Sequence, residues 1–354
     1  MSVPPSPLTV FITSPLEAEF AARIAAVAPE AVRTIYEPDL LPPIRYVADH
    51  KGVEGFARDD VGERRWRDNL AAAHVLWDFP VPPAGQTLDR SRVPNLRWVQ
   101  TTSSGVGQLV KNLGFDDTDL LVTTSRGVHA GPLAEFTAMA LLIHFKDLAH
   151  LRAEKDRRAW TRYCGDGLEG KTMAVIGAGR VGRRILAMGR AFGMRTVLLN
   201  RPGGTTTAAD AGADLAYPAE ALHAMLSETD ALVLSMPHTP DTENLIDAAA
   251  LAALKPGAVL VNVARGAVVD EPALVDALAS GQVGFAALDV FAVEPLPAAS
   301  PLWDLPNVLI SPHSASTVAR ENELITALFC RNLERYLAGR IDEMENVLDK
   351  ARLY

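Results

Sequence analysis

The sequence predicts an α/β protein built of two doubly wound parallel-sheet units. Three observations carry that expectation. Short apolar runs of strand length alternate with helical stretches along most of the 354 residues, the pattern of βαβ units. The alternation pauses in a long apolar helix after residue 130 and restarts at Lys171, which puts a break near residues 120–130. A Gly-x-Gly-x-x-Gly run, Gly177 to Gly182, stands directly between an apolar strand and a helix. At roughly 100–200 residues per domain, the length also suits two domains.

The elements follow in order. Residues 8–12 read as a strand and 16–27 as an Ala-rich helix with apolar residues at helical spacing. Residues 37–46 are proline-rich and read as a loop, which carries Arg45 and Tyr46. Residues 75–77, 96–99 and 120–123 read as buried strands. Residues 132–151 read as one long helix, with Pro132 in its first turn. Its apolar residues nearly encircle the axis, so both sides are expected to be covered, by the core or by another subunit. After Lys171 come strands at 173–176, 196–199, 231–234, 259–263, 285–289 and 308–311. Helices at 180–192, 219–226 and 271–280 separate them, and a closing helix spans 318–338.

Composition narrows the function classes. Hydrophobic residues make up 48% and charged residues 22%, which excludes a largely disordered chain. Lys and Arg number 34 against 43 Asp and Glu, a net charge of −9 that disfavours nucleic acid or an anionic membrane as partner. Cys164 and Cys330 lie far apart and outside any Cys-x-x-Cys, so neither a disulfide framework nor a structural zinc site is expected. A reducing, cytoplasmic compartment follows. Residues 1–7 lack the pattern of a signal peptide, and no apolar run approaches the ~18 residues of a membrane span. The histidines lack a metal-ligand spacing such as His-Glu-x-x-His, so no metal is expected. There is no Gly-x-Ser-x-Gly elbow.

The glycine run has a physical reading. Gly177 permits the tight turn, Gly179 lets backbone approach a pyrophosphate, and Gly182 lets the helix pack on the strand. Ala178, Arg180 and Val181 complete a turn whose unpaired helix N–H groups face the phosphates. The next strand ends Asn200-Arg201, at 200 − 177 = 23 residues beyond the first glycine. An acidic residue in this region would bind the ribose 2′-OH of NAD, whereas a nearby Arg accommodates the 2′-phosphate of NADP. From Lys171 to Ala209 there are seven basic residues and no carboxylate, read as a local basic patch. NADP(H) is therefore expected over NAD(H).

Three later segments each end a predicted strand with an ionisable side chain: Arg265 before Gly266, Glu294 before Pro295, and His313 after Pro312. In open α/β sheets ligands bind beyond the carboxyl ends of strands. Arg265 suits a substrate carboxylate and a polarised carbonyl, His313 suits proton exchange, and Glu294 suits orientation of the imidazole. Singly, each reads more readily as a structural residue.

The order of these segments resembles the D-isomer-specific 2-hydroxyacid dehydrogenase family. The likeness lies in Gly177-Ala-Gly-Arg-Val-Gly182, Val261-Asn-Val-Ala-Arg-Gly266, Leu288-Asp-Val-Phe-Ala-Val-Glu-Pro295 and Ser311-Pro-His313. It extends to Trp98-Val-Gln-Thr-Thr-Ser-Ser-Gly-Val-Gly107, similar to the family's substrate loop, and to Met236-Pro-His-Thr-Pro-Asp-Thr242, similar to its cofactor-side loop. The resemblance implies a Rossmann cofactor domain (residues 123–317) inserted into a flavodoxin-like substrate domain (1–122, with 318–354 returning). It implies Arg265, Glu294 and His313 as the catalytic trio, and Ser104, Gly105 and Val106 at the substrate carboxylate beside Arg265 and His313. It implies cofactor contacts at Pro237, Thr242, Val263, Ala264, Asp289 and His313, with Asp289 on the nicotinamide carboxamide. A homodimer through residues 132–151 and the arm near Trp160 is implied too.

The reaction so implied is NAD(P)H-dependent reduction of a 2-oxo acid to a D-2-hydroxy acid, glyoxylate and hydroxypyruvate favoured. Glu294 in place of Gln argues against a formate dehydrogenase. Two rivals on the same scaffold are a non-enzymatic, dinucleotide-sensing corepressor-like protein and a phosphonate (phosphite) dehydrogenase. The presence of Arg265, Glu294 and His313 together disfavours the sensor.

Overall fold

A computed structural model describes residues 7–80, 88 and 90–352, and the chain divides into two compact units. Residues 1–6, read above as free of a signal peptide, lie outside the described residues. One unit takes the chain up to Val128 and again from Thr317; the other runs His129–Ser316.

The first unit opens with β1 (Leu8–Ile12), α1 (Ala18–Ala25), β2 (Val32–Ile35), α2 (Asp60–Ala72), β3 (Val75–Trp77), β4 (Trp98–Gln100), α3 (Gly107–Asn112) and β5 (Leu121–Thr123). All five strands are parallel, in the order β2-β1-β3-β4-β5. This is the flavodoxin-like order, with its switch point between β1 and β3. The proline-rich loop contains a short 3-10 turn at Pro38–Leu40. Two of the elements absent from the sequence reading, β2 and α2, bury little: α2 presents mainly Trp66 and Leu70 to the core, and the Arg58 guanidinium lies 3.6 Å over the Trp66 ring.

The last helix, Glu321–Leu337, belongs to this unit because of its aromatic face. Phe329 stacks on Trp98 at 5.0 Å and meets Trp77 edge-on at 5.7 Å; Tyr336 stacks on Trp98 at 5.4 Å. Burial of such rings dominates a small core. The Trp98 indole N–H donates to Thr123 Oγ1 (2.8 Å), and Thr123 donates to Gln100 Oε1 (2.8 Å), so the buried polar atoms of β4 and β5 satisfy one another. Beyond the helix, Glu345 accepts from Arg331 (2.9 Å) and Arg335 (2.7 Å), and this pair of guanidiniums outweighs burial to hold its carboxyl down at about 2.

The second unit comprises α4 (Ala130–Phe145), α5 (Leu148–Arg157), β6 (Thr172–Ile176), α6 (Arg180–Ala191), β7 (Arg195–Leu199), α7 (Ala208–Ala211), β8 (Leu215–Tyr217), α8 (Leu222–Leu226), β9 (Ala231–Leu234), α9 (Ala248–Ala253), β10 (Ala258–Asn262), α10 (Glu271–Ser280), β11 (Val283–Leu288) and β12 (Val308–Ile310). Its parallel sheet runs β12-β11-β10-β9-β6-β7-β8. The order is that of a Rossmann sheet extended by one strand, and it reverses between β6 and β9. The predicted fold class is the observed one.

The single helix expected over 132–151 is two helices. Asp147 adopts a left-handed conformation (φ 51°), and its carboxylate caps α5 by accepting the His150 N–H at 3.0 Å. The arm beyond α5 crosses at this break, its Asp166 N–H donating to the Phe145 carbonyl at 2.8 Å and Lys146 Nζ to the Asp166 carbonyl at 2.8 Å. Nor are both sides of α4 covered by its own chain. Leu133, Phe136, Ala140 and Leu141 are buried in the core that holds Ile185 and Leu186, while Met139 is exposed. The expected helix at 219–226 is a 3-10 turn, Ala219–Ala221, running into α8.

In the loop after the 3-10 turn, the Asp49 carboxylate accepts the Arg45 fork (2.7 and 2.9 Å) and the N–H groups of Arg45, Lys51 and Gly52. Burial alone would raise its pKa, but these donors together hold it well below the usual carboxylate range. A depressed folded-state pKa adds stability above the unfolded value, about 3.9, that is lost as pH falls through the folded one. Asp49→Asn is expected to cost about 2 kcal/mol at pH 7 by denaturant unfolding, with the gap to the parent shrinking below about pH 4.

Candidate active site

The glycine turn sits where the second sheet reverses. Gly177 leaves β6 with φ 116°, and a Cβ there would stand 2.8 Å from the Met236 nitrogen and 2.9 Å from the Ser235 carbonyl carbon, at the end of β9. Only glycine combines that conformation with that approach. A Cβ on Gly182 would collide with the Gly177 carbonyl oxygen. Gly179 differs: a Cβ there would meet no protein atom within 4 Å. It begins α6 as N-cap with no side-chain cap bond, so the first N–H groups of Arg180, Val181 and Gly182 lack intrahelical partners. A turn closed from within at Gly177 and Gly182, open at Gly179 and lined by helix N–H donors fits a dinucleotide pyrophosphate.

Around this turn, the residues singled out in the sequence hold their own loops in shape. Thr242 donates to the Pro237 carbonyl at 2.9 Å and accepts the Thr239 N–H at 2.8 Å, bracing the loop after β9. Asn200 ends β7, its amide donating to the Thr206 carbonyl at 2.9 Å, and Arg201 beside it is exposed. The seven basic residues do not form one patch. Lys171 and Arg195 stand at the amino ends of β6 and β7, away from the turn, paired with Asp166 (2.7 Å) and Glu228 (2.6 Å). Arg183 and Arg190 donate to the backbone carbonyls of Asp210 and Gly212. The absence of carboxylates within 171–209 is a property of the segment, not of the space around it. At those amino strand ends, a cavity of about 500 Å³ is lined by His144, Cys164, Lys171, Asp230 and Lys255, opposite the glycine turn.

The three ionisable side chains lie at the carboxyl ends of β10, β11 and β12, which are adjacent in the sheet. Asn262 staples the first loop: its Nδ2 donates to the Arg265 carbonyl (3.0 Å) and its Oδ1 accepts the Ala264 N–H (3.0 Å). Val263 and Ala264 are buried, while Arg265 is exposed, with one guanidinium nitrogen 2.6 Å from the Ala264 carbonyl. A Cβ on Gly266 would run into the Phe291 carbonyl group. That close approach seats the Arg265 loop against the loop carrying Glu294.

Glu294 accepts the Phe291 N–H through Oε1 (3.1 Å), which presents Oε2 to His313 Nδ1 at 2.8 Å. A carboxylate only accepts, so Nδ1 carries the hydrogen and Nε2 is the nitrogen left to exchange a proton. His313 itself takes a left-handed conformation (φ 55°), its N–H donating to the Asp289 carbonyl at 2.9 Å. Asp289, expected at a carboxamide, is 3% exposed, and its Oδ1 accepts from Ser311 Oγ (2.6 Å) and from the N–H groups of Ser314 and Ala315 (2.8 Å each). Burial pushes its carboxyl above the usual range against those donors. Sequence reading included Asn262, Gly266 and Ser311 in the motifs but gave them no role of their own. The signals available were an Asn and a Gly flanking Arg265 and a Ser at a strand end.

In the first unit, Ser104, Gly105 and Val106 lead into α3, with Val106 as its N-cap. Thr101 donates to the Ser103 carbonyl at 2.7 Å, and the Ser125 N–H meets the same oxygen at 3.2 Å.

The sheet order and the turn at its reversal define a dinucleotide-binding fold. Comparison with known proteins makes this specific: residues 138–315 match the D-isomer specific 2-hydroxyacid dehydrogenase, NAD binding domain. The chain belongs to that family, in which its relatives are oxidoreductases. A glyoxylate reductase of Aeropyrum pernix is 33% identical over 304 residues, 75% of this chain and 87% of that protein. A D-3-phosphoglycerate dehydrogenase of Mycobacterium leprae is 35% identical over 309 residues, 84% of this chain; the match spans only 57% of that protein. Among solved structures, a D-isomer specific 2-hydroxyacid dehydrogenase of Xanthobacter autotrophicus Py2, in complex with NADPH and MES, superposes with a TM-score of 0.74 at 28% identity, covering 99% of this chain and 100% of that one.

Gly179→Ala tests the turn. With no protein atom near the new methyl, Tm is expected to hold, while NADPH binding by fluorescence titration weakens tenfold or more. An unchanged Kd would mean that the phosphates do not approach this glycine.

Proposed function

We propose that the chain reduces a small 2-oxo acid to the D-2-hydroxy acid with NADPH, glyoxylate and hydroxypyruvate being the leading substrates. The observation that carries the proposal is the His313–Glu294 pair at 2.8 Å, on a strand end adjacent to the one before the Glu294 loop. Bound at the glycine turn, the reduced nicotinamide supplies the hydride. The chain's own residues do the rest. Gly177 to Gly182 would seat the pyrophosphate, and Pro237, Thr242, Val263 and Ala264 are assigned to the cofactor. Arg265 pairs its planar fork with the substrate carboxylate, as guanidinium geometry favours. Ser104, Gly105 and Val106 are assigned to the same carboxylate. His313 gives its Nε2 hydrogen to the carbonyl oxygen as negative charge develops there, and Glu294 holds the ring in orientation through Nδ1. Asp289 fixes the turn that aims His313.

The NADPH preference rests on Asn200 and Arg201: a neutral amide where a carboxylate would repel a 2′-phosphate, followed by an exposed guanidinium. The NADPH complex of the Xanthobacter relative is in line with it. A homodimer through α4, α5 and the arm accords with the exposure of Met139, Leu151 and Tyr163 and with Trp160, which is 100% exposed; sedimentation at micromolar concentration reads it directly. A cytoplasmic setting accords with two free cysteines, Cys164 and Cys330.

A panel of 2-oxo acids from glyoxylate to phenylpyruvate with the reduced nicotinamides, and phosphite with the oxidised ones as the alternative substrate, tests the reaction. A 2-oxo acid is expected to be reduced with higher kcat/KM for NADPH than for NADH; a clear NADH preference ends the cofactor reading, and phosphite turnover alone ends the substrate reading. His313→Ala is expected to lower kcat about 10³-fold with NADPH affinity retained. Arg265→Ala is expected to raise KM and lower kcat together, because one group binds and polarises; unimpaired kinetics would remove its role.

A further inference from the structure

We infer that Asp78 is a positioning residue for substrate binding, its carboxylate holding Thr102 so that the segment through Val106 keeps the shape in which it takes a substrate carboxylate. The inference rests on the reading that Ser104, Gly105 and Val106 bind that group.

Asp78 follows β3 in a left-handed conformation (φ 67°), a region that residues other than glycine seldom occupy. Such strain persists only where surrounding bonds over-determine it, and it concentrates at functional sites. Here the backbone is held on both sides. The Asp78 N–H donates to the Gln100 carbonyl at the end of β4 (2.7 Å). Its carbonyl accepts the Thr13 hydroxyl (2.7 Å), which also reaches the Trp77 carbonyl (2.6 Å) at the sheet's β1–β3 switch point.

The side chain turns toward β4. Oδ1 accepts the Phe79 N–H at 2.8 Å, and Oδ2 accepts the Thr102 hydroxyl. Thr102 is 2% exposed, so its hydroxyl is spent inward, while Ser103 and Gly105 are exposed. The neighbouring turn is tied from the other side, where the Thr101 N–H donates to the Thr123 carbonyl at 2.8 Å and Ser125 Oγ to the Thr101 carbonyl at 2.7 Å. Thr101 and Thr102 thus form a rigid base, pinned by β5 on one side and by Asp78 on the other. Remove the Asp78 bond and half of that base is released. Burial pushes the Asp78 carboxyl above the usual carboxylate range, against the Thr102 hydroxyl and the charge of His50, which pull it down. Asp78 acts through Thr102 and exchanges no proton with substrate.

The test uses three variants of the full chain with glyoxylate and NADPH. Asp78→Gly deletes the carboxylate where glycine accepts φ 67° freely. Thr102→Val deletes the hydroxyl and keeps the shape; Thr102→Ser keeps the hydroxyl. Expected are a glyoxylate KM raised about tenfold in Asp78→Gly and in Thr102→Val, kcat within about twofold, an unchanged KM for NADPH, near-parent kinetics in Thr102→Ser, and a double variant no worse than either single one. A glyoxylate KM within about twofold of the parent in both single variants overturns the inference, even if Tm falls, because then the bond is merely structural. Multiplying effects in the double variant also overturn it. Should Asp78→Gly fail to fold, the Thr102 pair decides alone. A parent that reduces no 2-oxo acid overturns this together with the reading beneath it; an active parent with unmoved KM overturns the inference alone.

Discussion

The candidate site of the second unit hangs on one buried carboxyl group. Asp289 Oδ1 gathers the Ser311 hydroxyl and two backbone N–H groups, and the Asp289 carbonyl takes the His313 N–H. Four bonds from one residue thereby fold the chain after β12 into a turn tight enough to hold His313 at positive φ. A polar group this buried is costly unless its bonds are made, so the turn and the carboxylate enforce each other. The imidazole is therefore placed by backbone geometry before Glu294 orients it.

The same economy recurs at the neighbouring strand ends. Asn262 spends both ends of its amide on the Arg265 loop, and Gly266 admits the Phe291 backbone against it. Glu294 divides its oxygens between Phe291 N–H and His313. Guanidinium, carboxylate and imidazole are thus carried on loops braced by internal hydrogen bonds, to which Arg265 and Glu294 themselves contribute, while all three residues stay exposed. In the first unit, an acid beyond β3 braces the loop after β4 in a comparable way. Parallel sheets place all strand carboxyl ends on one edge, and there the backbone needs side-chain partners that the ladder no longer supplies.

Much of the fold and of the candidate site was legible in the sequence. Alternation of apolar runs with helices read out the parallel sheets because strands buried on both faces must be apolar throughout. The glycine run, Arg265, Glu294 and His313 were legible because their local context is short-range: a strand, then a turn, then a charge. Tertiary contact decided the rest. The break at Asp147 depends on the arm that crosses Phe145 and Lys146 from twenty residues on, which no periodicity registers. β2 and α2 bury too little to stand out. The seven basic residues looked like one patch because charge was counted along the chain, whereas Asp166 and Glu228 reach two of them through space. The place of Asp289 in the turn, the 2.8 Å contact of His313 with Glu294 and the bond from Asp78 to Thr102 join residues 19 to 26 positions apart or lie in loops. Sequence spacing sets which groups exist, but only the folded strand ends set which of them meet.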